Sequence, residues 1–182
     1  MFEGKNIVIG VTGGIACYKA CEIISFLVHE GASVDVIMTK NATEFIAPLT
    51  LETLSKHKVV VDMFEKKAHI EVEHISLARK ADLFLIVPAT ANILGKVANG
   101  IADDMLSTTI MATSAPVVFA PAMNNGMYMN KIVQDNIKKL KKYGYFFVDP
   151  IEGNLACGYQ AIGKLANKEM IIHSIQNVLG GK

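Results

Sequence analysis

The sequence predicts an α/β fold in which one parallel sheet carries helices on both faces, folded as a single domain over residues 1–182. Three observations predict it. Strand-length, β-branched apolar runs recur along the chain: "KNIVIGVT", "ASVDVIMT", "ADLFLIVPAT", "APVVFAPA" and, as a fifth candidate, "YGYFFVDP". Their cores are nearly continuously apolar rather than alternating, as expected of strands buried on both faces. Segments with helical spacing fall between most of them, and strands separated by helices belong to a parallel sheet.

The first strand, residues 5–12, passes through Gly13 and Gly14 into "GGIACYKACEIISFLVHEG", a helical pattern that Gly31 stops. The second strand, residues 32–39, ends at Thr39. "EVEHISLARKAD" places His74 just before a helix, and the third strand ends in "PATANILGKVANGIADD", with Thr90 and Asn92 at the strand end ahead of a helix of small residues. The fourth strand runs into "FAPAMNNGMYMN". The late stretch "DPIEGNLACGYQAIGK" is long for a connection, which favours a functional or mobile loop. "ANKEMIIHSIQNVLGGK" closes the chain as an amphipathic helix. Ligands of such folds bind beyond the carboxyl ends of the strands. The segments "TGGI", "MTKNAT", "PATAN" and "PAMNNGMY" therefore carry the functional expectation.

Composition removes several classes. The formal charge of +1 leaves no basic field for nucleic acid, and the run Lys138, Lys139, Lys141, Lys142 reads as the solvated face of a helix. Cys17, Cys21 and Cys157 are odd in number and lack a CxxC pair, and no signal peptide is evident. Free thiols in a cytoplasmic, reducing setting are the expectation. The apolar runs fall well short of the roughly 18 residues of a membrane span. No metal-ligand pattern stands out, and the chain is long enough to bury a core without metal or disulfide.

Each motif reads in two ways. "VTGGIACYKA" resembles a phosphate-binding turn, yet the third glycine of a dinucleotide fingerprint is missing and Asp35 lies mid-strand, which disfavours NAD. "GYQAIGKL" matches G-x-x-x-x-G-K but offers Leu165 where Ser or Thr would bind magnesium, so it is read as a chance match. Thr90 is either a helix cap or, with Asn92, part of a phosphate site beside which small residues admit a flat ring. His74 is a cap or surface residue, or a group suited to proton transfer. Asn124 or Asn125 is the cap of the next helix, or an amide kept for a ligand. Cys17 and Cys21 suit packing, whereas Cys157 sits in a glycine-rich loop from which a protonated thiol could swing onto a ligand.

Taken in order, "TGGIACYKA", "HISLARKAD", "PATANILGKVANGIADD", "PAMNNGMY" and "NLACGYQAIGK" resemble the flavin-dependent cysteine decarboxylase family, most closely its 4'-phosphopantothenoylcysteine decarboxylase branch. The likeness runs from about residue 5 to 165. It implies a flavodoxin-like or Rossmann-like sheet, bound FMN, and a substrate flap near residues 150–165. It also implies a step of coenzyme A biosynthesis: oxidation of the cysteinyl end to a thioaldehyde, loss of carbon dioxide, and reduction of the ene-thiol to 4'-phosphopantetheine. By the same resemblance Asn124 holds the substrate carboxylate with Met123 beside it, His74 is the base or orienting group, and Cys157 protonates the ene-thiol. Gly13, Gly14, Ile15, Thr39, Thr90, Ala91, Asn92, Ile93 and Ala122 fall at cofactor positions. Arg79 and Lys164 are expected on the substrate side. Tyr128, Tyr159 and Lys164 depart from the family's common Trp, Asp and Arg.

Family members assemble as trimers or as dodecamers built from trimers, so a homotrimer or dodecamer is implied. Many bacterial relatives are fused to a phosphopantothenate-cysteine ligase. For a chain ending at Lys182 the resemblance implies a separate ligase polypeptide. The alternatives are a peptidyl-cysteine decarboxylase, against which "LACG" argues, a flavin prenyltransferase, in which the Met-Asn pair and Cys157 would have no role, and a non-catalytic FMN-binding regulatory subunit. Relatives of that last kind often carry acidic extensions or lack the His or Cys; neither departure occurs here.

Overall fold

The computed structural model describes residues 1–64, 73–154, 156 and 158–181. β1 (Asn6–Val11) sends alternate residues to opposite faces: Ile7, Ile9 and Val11 join one core layer and Val8 the other. Both faces are covered, which is why the strand shows no polar alternation. At Gly10 a Cβ would stand 2.5 Å from Leu106 Cδ1 and 2.8 Å from Ile86 Cδ1, so glycine lets a later helix sit directly on the strand. After a short 3-10 turn at Ile15–Lys19 comes α1 (Ala20–His29), which stops at Gly31 with φ +87°.

β2 (Ser33–Met38) pairs with β1 in parallel, from Asn6 opposite Ser33 to Val11 opposite Met38. There follow α2 (Lys40–Thr43), α3 (Pro48–Ser55), α4 (Glu73–Lys80), β3 (Leu83–Ala89), α5 (Ala91–Ala98) and α6 (Met105–Ala112). Asp104 starts α6 with a reciprocal cap: its Oδ1 accepts the Ser107 N–H at 2.8 Å, and Ser107 Oγ accepts the Asp104 N–H at 3.2 Å. β4 (Val117–Pro121), α7 (Asn125–Tyr128), α8 (Lys131–Lys142) and β5 (Phe146–Phe147) complete the sheet, in the order β2-β1-β3-β4-β5 with every pair parallel. The chain leaves β1 toward β2 and then returns across it to β3. The connections diverge there and open a crevice over the carboxyl ends of β1 and β3.

α1 and the closing helix α9 (Lys168–Leu179) cover one face of the sheet, where Ile24, Leu27, Ile171 and Ile175 pack with Ile7, Val34, Leu85 and Val118. On the other face Ile93, Leu94, Leu106, Ile110 and Leu140 pack with Val8, Phe84, Ile86 and Phe119. The lysines of α8 are exposed while Ile137 and Leu140 point inward, the solvated face expected from the sequence. Among the described residues no helix is long and apolar enough to cross a membrane.

Two expectations need correction. The fifth strand is only two residues long, because it is an edge paired solely with β4 and Pro150, which has no N–H, follows soon after. The late stretch is an antiparallel hairpin rather than an open loop, formed by β6 (Ile151–Asn154) and β7 (Gln160–Lys164). The G-x-x-x-x-G-K match therefore lies on a turn and a hairpin strand with no helix opening at its lysine, consistent with a chance match.

Candidate functional site

A cleft of about 570 Å³ opens over the carboxyl ends of β1, β2 and β3, a volume within the range of small-molecule sites. Of the expected cofactor residues, Gly13, Thr39, Thr90, Ala91, Asn92 and Ile93 line it. Gly14, Ile15 and Ala122 do not. Gly14 lies close to Thr90, with 3.7 Å from a built Cβ to Thr90 Cγ2, Ile15 is exposed, and Ala122 donates its N–H to Ala89 O at 3.2 Å.

The strand ends are tied together by Thr12, a buried residue that sequence reasoning passed over. Its hydroxyl donates to Pro88 O at 2.6 Å and accepts the Thr90 N–H at 3.1 Å, locking the end of β1 to the start of α5. The Thr90 hydroxyl is a poor cap, at 3.5 Å from Ile93 N. Ala91 and Asn92 lie in the first turn of α5, where N–H groups have no acceptor within the helix, an arrangement that suits an anion. At Gly13 a Cβ would stand 2.5 Å from Asn41 Cβ and 2.8 Å from its carbonyl carbon, so only glycine allows the turn after β1 to close on the start of α2. Thr39 Oγ1 is buried without a hydrogen-bond partner in the wall of the cleft, and such a group calls for a ligand or its water.

Sequence reasoning also missed the opposite wall. Lys96 reaches Asp103 at 2.6 Å and Asp104 at 2.7 Å, and Met105, Leu106, Phe64 and Met127 add apolar surface. Burial works against the charge on Lys96, but the hydrogen bonds it donates to both carboxylates outweigh it and hold its pKa above the ordinary value. Burial likewise pushes the Asp104 carboxyl up, and the bonds from Lys96 and Ser107 more than reverse that, leaving its pKa below the usual range. The cleft thus combines apolar faces with a few fixed polar groups, which fits a flat aromatic ring bearing a polar tail.

The substrate-side residues form a second group. Asn124 caps α7, its Oδ1 accepting the Gly126 N–H at 2.8 Å, while its Nδ2 donates to Tyr159 OH at 3.0 Å. Cap and presented amide are therefore the same side chain, since a carboxamide has two ends. The hairpin is fastened here: Met123 N–H donates to Gly163 O at 3.0 Å, and at Gly163 (φ +132°) a Cβ would collide with Met123 O. Met123 and Asn124 are thus brought to the hairpin, while Lys164, next on β7, lays its side chain over Gly153 of β6. His74 and Arg79 lie in the first and last turns of α4, which packs against α6, and they do not line the cleft. Cys157 lies outside the described residues.

Other candidates are spoken for. Asp35, the mid-strand acid, pairs with His57 Nδ1 at 2.8 Å and Lys80 Nζ at 2.6 Å. Cys17 Sγ donates to Gly14 O at 2.6 Å, and burial pushes its thiol pKa up, as it does for Cys21. Both suit packing rather than reactivity. Tyr128, standing where Trp is common, is buried, and burial followed by the Asp149 charge raises its pKa.

Strand order and cleft define a doubly wound α/β protein of the flavodoxin-like kind, in which a mononucleotide cofactor lies at the switch point between β1 and β3. The model of the flavoprotein family matches residues 1–180, and the chain belongs to that family. It is 52% identical over its whole length to the coenzyme A biosynthesis bifunctional protein CoaBC of Borreliella burgdorferi, of which it covers 46%. It spans about half the length of several such curated relatives. It is 43% identical to the probable phosphopantothenoylcysteine decarboxylase of Streptococcus mutans, over 96% of this chain and 99% of that one. Among solved structures, a cysteine-to-serine mutant of PPC decarboxylase complexed with pantothenoylaminoethenethiol superposes with a TM-score of 0.83 at 29% identity, covering 94% of this chain and 96% of the other.

Proposed function

We propose that this chain is an FMN-dependent decarboxylase that converts 4'-phosphopantothenoylcysteine to 4'-phosphopantetheine, with release of carbon dioxide, in coenzyme A biosynthesis. The observation that carries the reading is the anchored amide of Asn124. Its oxygen accepts the Gly126 N–H and its nitrogen is turned toward the hairpin, where it donates to Tyr159 OH, a bond that a substrate carboxylate would replace with a charge-assisted one. Similarity to the Streptococcus mutans protein over nearly the whole of both chains supports the same reading.

When bound at the switch point, FMN would supply the two-electron oxidation of the cysteinyl end and, after loss of carbon dioxide, the matching two-electron reduction. Gly13, Thr39, Thr90, Ala91, Asn92 and Ile93 line the cleft and would hold it; Gly14, Ile15 and Ala122 are proposed to join them on the cofactor. The small residues keep backbone close to the ring, and the α5 start favours a phosphate. His74 takes or orients the thiol proton from α4, and Cys157 returns a proton to the ene-thiol. Met123 shapes the carboxylate pocket, while Lys164 and Arg79 supply positive charge for the substrate phosphate. Residues 1–182 act as one decarboxylase domain, with the hairpin inside 150–165 as its substrate flap, working as a homotrimer or a dodecamer of trimers.

The test offers the FMN-loaded protein two substrates in parallel, 4'-phosphopantothenoylcysteine and a peptide ending in cysteine. Mass analysis is expected to find loss of carbon dioxide from the first only. Faster loss from the peptide would show that the protein is a peptidyl-cysteine decarboxylase instead.

A further inference from the structure

The hairpin tip contributes a group that the substrate reading does not yet use. Tyr159 and Asn124 are 35 residues apart in sequence, yet Asn124 Nδ2 donates to Tyr159 OH at 3.0 Å. Because the amide is the donor, the phenol is the acceptor, and the phenol's own proton is not used in that bond. Two donor-bearing side chains from two elements thus meet at one point. Their meeting is enforced by backbone: Met123 N–H to Gly163 O at 3.0 Å, and a glycine at 163 where any Cβ would strike Met123 O.

We propose that Tyr159 is a second donor to the substrate carboxylate, closing on it together with Asn124; the proposal rests on the reading of Asn124 as the carboxylate-holding group. A carboxylate only accepts, and its two oxygens offer about four lone-pair sites, enough for both donors at once. Charge-assisted bonds to it are roughly twice as strong as the neutral amide-to-phenol bond they replace. Tyr159 is 46% exposed, so its ring turns toward an entering ligand without unpacking the core. The hydroxyl also serves as a gauge of the ligand, since a substrate without a carboxylate leaves the Asn124–Tyr159 bond in place and gains nothing from either group.

The test compares the FMN-loaded parent with Tyr159→Phe, which keeps the ring and removes the hydroxyl. Two ligands are titrated by calorimetry: 4'-phosphopantothenoylserine, which lacks the reactive thiol, and the same compound without its carboxylate. Tyr159→Phe is expected to bind the carboxylated ligand about tenfold more weakly and the other within about twofold of the parent. Equal weakening of both ligands would make the contact a mere latch for the hairpin, and tighter binding of the carboxylated one would make Tyr159 a competitor for the amide; either overturns the proposal, as does no change at all. A parent that binds neither ligand overturns instead the substrate reading beneath it.

Discussion

Replacing Thr39 by valine separates the needs of the folded chain from those of its cofactor. Thr39 Oγ1 is buried in the cleft wall without a partner, and the residue starts α2 without using its side chain as a cap. Its extended backbone, φ −72° and ψ 155°, accepts a β-branched side chain without strain. A buried hydroxyl with no partner costs about 1–3 kcal/mol, so in FMN-free protein Thr39→Val is expected to raise stability by about 1 kcal/mol. If FMN occupies the cleft as proposed, the hydroxyl is expected to gain a partner. The same substitution then removes a bond worth about 0.5–1.5 kcal/mol and weakens FMN binding about 3- to 10-fold. Urea unfolding with and without FMN reads both effects: the FMN-free midpoint rises at unchanged slope, and the increment added by a fixed FMN concentration shrinks. A less stable FMN-free protein that keeps full FMN affinity would refute the assignment of this hydroxyl to the cofactor.

Four further outcomes are expected. Gly163→Ala, which would collide with Met123 O, should loosen the hairpin by about 1–3 kcal/mol; faster proteolysis between residues 151 and 164 with unchanged FMN content is the readout. Asp104→Ala should cost about 0.5–2 kcal/mol at neutral pH through loss of its cap. Because the folded Asp104 pKa is depressed, that stability is present above the unfolded value of about 3.9 and is lost as pH falls through the lower folded value, so parent and variant should converge in acid unfolding. His74→Asn should retain FMN but fail to bleach it anaerobically when substrate is added; normal bleaching would remove His74 from the proton transfer. Cys157→Ser should release carbon dioxide yet accumulate an ene-thiol lacking the final pair of hydrogens, seen by mass analysis, since a hydroxyl is a far weaker acid than a thiol near pKa 8.5.

The sheet was legible because its strands are buried on both faces, which leaves short, β-branched apolar runs bounded by turn residues. The strand-end residues that line the cleft were legible as well, since the carboxyl ends of parallel strands are where loops converge. The hairpin was not. β6 and β7 carry Gly153, Asn154, Gln160 and Gly163, few apolar residues and no large core face, so their pairing leaves little pattern in the sequence. The Thr12 bridge was hidden because its approach is tertiary, Thr12 meeting Pro88 across 76 residues, whereas the Lys96 contacts span only 7 and 8 residues and depend on how the turn between α5 and α6 folds back. The two readings of Asn124 were not rivals, because the structure gives its oxygen to the cap and leaves its nitrogen facing the hairpin.

The central claim is tested most directly by anaerobic incubation of FMN-loaded protein with 4'-phosphopantothenoylcysteine carrying carbon-13 in its carboxylate. Labelled carbon dioxide and 4'-phosphopantetheine in equal amounts, with the flavin oxidised again at the end, is the predicted result. Intact substrate and no labelled gas, from protein that holds its full complement of FMN, would contradict the account.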